Sequence, residues 1–169
     1  MNLRSTVLWG VLILILALVN YGVFQKESIR SNGQILYLEL APVDPRSLIQ
    51  GDYMQLDYAL LQDLRNSGLP ERGQLVIDFD NRRMGFQGKL FDESTPLAEN
   101  QLLINYHDGD DRLRIAAENY FFQEGQGPQF EDAEYAKLRV SPSGEIVLTG
   151  LMDDELNRLG EEGGSSAVT

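Results

Sequence analysis

The sequence has no cysteine, one histidine and few basic residues, with 14 Lys and Arg against 26 Asp and Glu in a chain of 169. Without cysteine there is no disulfide framework, no Cys-ligated zinc and no thiol nucleophile. A single histidine, His107, excludes a two-His metal site and weakens any His-based triad. The formal charge of −12 speaks against nucleic acid, because a DNA or RNA binder must neutralise phosphates with a basic surface. No Gly-rich phosphate loop follows a strand candidate and no long βαβ rhythm appears, so a nucleotide enzyme is not expected. What remains is a chain that is 43% hydrophobic, enough for a core. Its length suits one small domain plus an appendage.

The appendage is at the front. Arg4 is the sole charged side chain among residues 1–24, which leaves 13 basic and 26 acidic groups beyond it, a net charge of −13. Thr6 to Phe24 reads TVLWGVLILILALVNYGVF, with an unbroken aliphatic centre from Val11 to Val19. As a helix those residues span about 28 Å, close to the hydrocarbon thickness of a bilayer. A helix is also the form in which one such segment satisfies its own backbone in lipid. Trp9 and Tyr21 lie near its two ends, at the level that amphipathic rings prefer. A cleaved secretory signal is the competing reading. Its cleavage site is poor, since Ala17-Leu18-Val19 is the nearest approach to A-x-A and Val19 is bulky. An uncleaved anchor is therefore expected. The flanking cations are nearly balanced, and the signal-like layout places the N-terminus in the cytoplasm and the acidic domain outside.

The body, after a polar juxtamembrane connector at 26–33, alternates short apolar runs with turn signals. Strands are expected over Gln34–Leu40 and Asp52–Leu60, with Met54, Leu56, Tyr58 and Leu60 on one face and Tyr53, Gln55 and Asp57 on the other. A helical turn over Leu61–Ser67 follows. Gly73–Asp80 and Arg83–Phe91 read as a hairpin around Asn81-Arg82. Gln101–His107 and Arg112–Phe122 read as a second, joined by the acidic turn Asp108-Gly109-Asp110-Asp111. Glu131–Lys137 has helix-forming composition. Leu138–Val140 and Glu145–Leu151 pair across Ser141-Pro142-Ser143-Gly144. The tail from 160 is polar and is expected to be disordered. The expected architecture is mainly β, an antiparallel sandwich or partly open barrel with a short helix, plus one N-terminal transmembrane helix. The organisation is anchor 1–25, connector 26–33, β-rich domain 34–159 and tail 160–169.

Gly51-Asp52-Tyr53-Met54-Gln55-Leu56-Asp57-Tyr58 satisfies the pattern G-D-Y-x-x-L-x-Y at every specified position. With the apolar helix, Lys26-Glu27, Asp44-Pro45-Arg46, Phe121-Phe122-Gln123-Glu124-Gly125 and Tyr135-Ala136-Lys137-Leu138-Arg139-Val140, nearly the whole chain resembles the GDYXXLXY protein family. The resemblance implies a small bacterial membrane-anchored protein with no established activity or cofactor. Such proteins are often encoded beside multi-spanning membrane proteins, which implies a partner of that kind. Read from the residues, Asp44 and Pro45 suit a turn, Ser47–Gln50 one helical turn, and Gly51 the positive φ that ends it. Most of the motif then serves as a turn-plus-strand nucleus. Arg46, Asp52 and Tyr53 are the candidates for a polar-aromatic contact patch.

Two chemical readings compete with a binding role. A Ser/Lys hydrolase like the anchored signal peptidases would use Ser47 with Lys89 or Lys137, but the Ser-Met-x-Pro context is missing and Lys137 falls on an expected exposed helix. His107-Asp108-Gly109-Asp110-Asp111 offers metal-ligating side chains, yet lacks the terminal Glu of a calcium loop and reads more simply as a solvated turn. A solute-sensing domain would need a concave pocket lined by aromatics. The expectation is a non-enzymatic binding or accessory protein with no cofactor or metal. Its partners are the lipid bilayer and a multi-spanning membrane protein, not nucleic acid.

Overall fold

A computed structural model describes residues 3–41, 53–64, 67–92, 94–109 and 112–160. Helix α1 runs from Leu3 to Asn32 without interruption, so the connector at 26–33 is helical almost to its end. Its stretch Val7–Asn32 is long and apolar enough to cross a membrane, consistent with a signal anchor or a signal sequence. From Val7 to Phe24 its large apolar side chains are 44% to 72% exposed, so the other described residues do not cover them.

Among the described residues nine strands follow: β1 Gln34–Glu39, β2 Tyr53–Gln55, β3 Arg72–Phe79, β4 Met84–Leu90, β5 Gln101–Gly109, β6 Arg112–Ile115, β7 Asn119–Phe121, β8 Tyr135–Val140 and β9 Ile146–Met152. A short helix, α2, spans Ala59–Leu64, and a 3-10 turn spans Gly127–Phe130. Seven strands form one sheet in the order β6-β5-β3-β4-β1-β8-β9, while β2 and β7 form a separate ribbon. The large sheet curls into a nearly closed barrel. Its β8–β9 turn reaches back to the other side, where Asn105 N–H donates to the Gly144 carbonyl (2.8 Å) and Gln74 Nε2 to the Ser143 carbonyl (3.1 Å). Leu36, Leu38, Ile77, Ile104, Leu138 and Leu151 fill the interior. The mainly β expectation holds, in its barrel form. Among the described strands, neighbours pair antiparallel except β1 with β4. A parallel neighbour requires a crossover instead of a hairpin, and the chain between β1 and β4, including α2 and β3, provides it.

Both hairpins with strong turn chemistry form where the residues place them. In the β3–β4 turn the Asp80 carboxylate accepts from Arg82 N–H (2.9 Å) and Met84 N–H (2.8 Å), which holds Arg83 at φ +66°. Few side chains adopt that conformation, and the two Asp80 bonds offset its cost. In the β8–β9 turn Gly144 takes φ +82°.

Four expectations need correction. Glu131–Lys137 is not a helix: the chain leaves the 3-10 turn at Phe130 and enters β8 at Tyr135. Ala136, Leu138 and Val140 alternate into the core, and β8 is paired on both sides, so tertiary burial outweighs helix propensity. Asp52–Leu60 is not one strand, since pairing stops at Gln55 apart from a bridge between Leu40 and Tyr58. The Tyr58 carbonyl accepts from Leu61 N–H (3.0 Å) and Gln62 N–H (3.2 Å), so the helix starts at Ala59, ahead of the expected Leu61–Ser67 turn. Arg112–Phe122 breaks after Ile115, and β7 leaves to pair with β2. Finally, β5 continues to Gly109, so Asp108 and Gly109 belong to the ladder opposite Leu113 and Arg112 instead of the turn.

Candidate contact surface at the motif ribbon

The β2–β7 ribbon places Tyr53 opposite Phe121, Met54 opposite Tyr120 and Gln55 opposite Asn119. Strand alternation divides these residues between two faces. Met54 is buried, and Tyr120 packs edge-on against Phe130 with ring centres 5.1 Å apart. On the other face Tyr53 meets Phe121 at 5.8 Å between ring centres, and Phe121 is 73% exposed. The face assignment read from residues 53–60 therefore survives, although the segment changes from strand to helix within it.

Leu56 and Tyr58 belong to the core. Leu56 N–H donates to the Glu118 carbonyl (2.6 Å), and the buried Tyr58 hydroxyl donates to the Ala117 carbonyl (2.5 Å). These two bonds hold the segment 116–118 in place and explain why the strand expected over 112–122 is broken there. Burial pushes the Tyr58 hydroxyl well above its ordinary pKa, with the nearby Glu118 charge adding to the shift. The phenol therefore stays protonated around neutral pH and donates to the Ala117 carbonyl. Asp57 faces outward and organises the start of α2, accepting from Tyr58 N–H (3.0 Å) and from Gln62 Nε2 (3.0 Å).

Of the candidate patch, only Tyr53 lies among the described residues; Arg46 and Asp52 lie outside them, as do the motif's Gly51, the turn at Asp44-Pro45 and the helical turn at Ser47–Gln50. The aromatic neighbour that Tyr53 has, Phe121, was not assigned to the patch from the sequence. A continuous strand would carry Phe121 to the same face as the buried Leu113 and Ile115. The break at 116–118 reverses that parity and turns Tyr120 inward and Phe121 outward. A signal was present in Asn119-Tyr120-Phe121, where two adjacent aromatics cannot both face the core of a strand.

The chemical alternatives gain nothing from the geometry. Lys137 lies on β8, not on a helix, with Nζ 5.9 Å from the Tyr37 ring centre. Lys89 pairs with Asp78 at 3.8 Å, while Ser47 lies outside the described residues. His107 Nδ1 is 3.0 Å from the Glu71 carbonyl. Among the described residues no three His, Asp or Glu side chains converge on a point where a metal could bind, and Asp110 and Asp111 lie outside them. Beside Tyr58 the cavity is about 20 Å³, room for one water.

The sequence profile of the GDYXXLXY protein family matches residues 15–151, from the middle of α1 to the end of β9. The chain belongs to the GDYXXLXY protein family. Searches of curated proteins and of solved structures returned no match. Within this GDYXXLXY protein, the motif's Leu56 and Tyr58 are interior and its Tyr53 is the described member that reaches the surface. The family pattern thus joins a packing nucleus to one outward aromatic.

Proposed function

We propose that this GDYXXLXY protein is a single-pass bacterial inner-membrane protein, N-terminus cytoplasmic, whose extracytoplasmic barrel is a non-catalytic accessory subunit of a multi-spanning membrane protein. The observation that carries the reading is the Tyr53–Phe121 pair, an outward aromatic contact at the family motif with Phe121 largely uncovered. Exposed aromatics of this kind are enriched at protein interfaces, where a ring buries a large area at low entropic cost. The anchor supports the choice of partner. Confinement to one bilayer raises the effective concentration of the barrel toward anything embedded in that bilayer, so a modest patch suffices. Bridge pairing of Leu40 with Tyr58 puts the motif at the end of β1 remote from α1, about 20 Å along the strand. The partner's extramembrane loops are therefore what the patch would meet.

The test is co-purification of the tagged full chain from native membranes in mild detergent, followed by mass spectrometry. A multi-spanning protein should accompany the native chain and be lost from Tyr53→Ala and Phe121→Ser variants that melt normally. Absence of any such protein from the native preparation overturns the reading.

A further inference from the structure

The junction between α1 and the β8–β9 hairpin is a wedge, rigid at its apex and open below. At the apex Gly33 N–H donates to the Ile29 carbonyl (2.8 Å), and the Arg139 guanidinium donates to the Gly33 carbonyl (2.7 Å). A Cβ at Gly33 would lie 2.5 Å from the Ile29 oxygen and 3.1 Å from Val140 N, so the helix approaches the barrel as closely as a glycine allows. Ile29 is buried in this contact. Because β8 runs antiparallel to β1, the hairpin tip turns back along the helix. Ser141, Ser143 and Glu145 face Tyr21, Phe24 and Gln25 across an open cleft of about 220 Å³. Glu145 closes part of it, 3.6 Å from Lys26 Nζ and 3.5 Å from Gln25 Nε2. The tip therefore reaches back as far as Tyr21, about 16 Å below Asn32 along the helix axis.

That level is where the apolar run ends. Tyr21 and Phe24 are 69% and 72% exposed, and Gln25 and Lys26 begin the polar part of the helix. We propose that the cleft receives a phospholipid headgroup, so that the β8–β9 tip lies in the headgroup layer and the barrel is seated on the bilayer. Ser141 and Ser143 share one hydrogen bond between their hydroxyls (2.8 Å), which leaves the pair one O–H to donate, and the Gln25 amide keeps one N–H beyond its Glu145 bond, so these two supply donors for a phosphate. The Glu145 carboxylate, already beside Lys26, suits a headgroup ammonium. The Tyr21 and Phe24 rings lie beside the glycerol and first methylenes, as aromatic belts do. The occupant is lipid because, where the apolar run meets water, lipid is the medium that surrounds an anchored helix. This inference rests on the anchor reading.

The natural absence of cysteine permits a clean test with the purified full chain in phosphatidylethanolamine–phosphatidylglycerol vesicles. Single variants Pro142→Cys, Asp154→Cys and Ile13→Cys carry an environment-sensitive fluorophore, and nitroxide lipids quench it. Pro142 is exposed at the hairpin tip and does not line the cleft, whereas Asp154 follows the other end of β9, about 20 Å away. A nitroxide just below the headgroup should quench the Pro142→Cys label severalfold more than the Asp154→Cys label. A nitroxide deep in the chains should quench the Ile13→Cys label. If Ile13→Cys is quenched and Pro142→Cys behaves like Asp154→Cys, the seating is overturned and the anchor stands. If Ile13→Cys is not quenched either, the anchor reading falls and takes the seating with it.

Discussion

Leu12 and Leu36 are the same side chain in two regions of one molecule, and they meet opposite fates. Leu36 is fully buried in the barrel, while Leu12 is 44% exposed on α1 among other uncovered aliphatics. The barrel supplies its own apolar environment by curling seven strands around a shared interior. Among the described residues the helix buries no large apolar side chain against the barrel before Ile29, so any cover for Leu12 would come from outside. Self-burial stabilises a fold, whereas borrowed burial specifies a location. The two regions should therefore respond differently to the same substitution. Leu36→Ala is expected to cost roughly 2–5 kcal/mol of barrel stability, the range for deleting a buried leucine side chain. Leu12→Ala should leave the barrel's melting transition unchanged. Thermal denaturation of the two variants measures both, and equal shifts would mean that the helix is part of the folded core.

A finer form of the comparison sets two buried tyrosines against each other. The Tyr58 hydroxyl has the Ala117 carbonyl, whereas the Tyr106 hydroxyl is buried with no hydrogen-bond partner among the described residues. Tyr58→Phe strands a buried carbonyl and is expected to cost about 1–3 kcal/mol, while Tyr106→Phe removes an unsatisfied group and should be neutral or stabilising. Alkaline pH adds a second readout. Burial raises the Tyr58 pKa in the folded state, so its contribution is intact below the ordinary value near 10 and is lost as pH rises beyond it. Tyr58→Phe should thus lower stability at neutral pH yet flatten the alkaline decline. Part of the decline should persist, because burial also raises Tyr106 and Tyr135. Denaturant titrations at neutral and alkaline pH separate the two effects.

How much of this was legible before the structure depends on how local the cause is. The apolar run of α1, the Asp80 turn and the Ser141–Gly144 turn announce themselves because a few adjacent residues decide them. Leu56 and Tyr58 were assigned inward by alternation alone. Lys137 was misplaced because the local helix propensity of Glu131–Lys137 is real. It loses to pairing with β1, about a hundred residues earlier in the chain, and with β9 across the following turn. The break at 116–118 was hidden for the same reason: its cause is the Tyr58 hydroxyl, which arrives from a distant segment. The candidate patch suffered in turn, since the parity of Phe121 depends on that break.

Phe121 gives the smallest expected effect within the barrel's strands and the sharpest contrast with Leu36. Both are large apolar side chains on strands, but 73% of Phe121 is in contact with solvent and its ring touches Tyr53 across a two-stranded ribbon. Removing it forfeits part of one aromatic pair, about 0.5–1 kcal/mol at most, and opens no cavity. Relieving solvent-exposed apolar area offsets some of that loss, so Phe121→Ser is expected to change stability by no more than about 0.5 kcal/mol. The ribbon's inner face explains the tolerance, because Met54 and Tyr120 hold it to the core without help from the outer ring. A denaturation midpoint close to that of the native chain would show that the outer face carries no folding role, as the proposed contact surface requires. A loss as large as that from Leu36→Ala would instead make the Tyr53–Phe121 pair part of the packing nucleus and remove the contact surface from consideration.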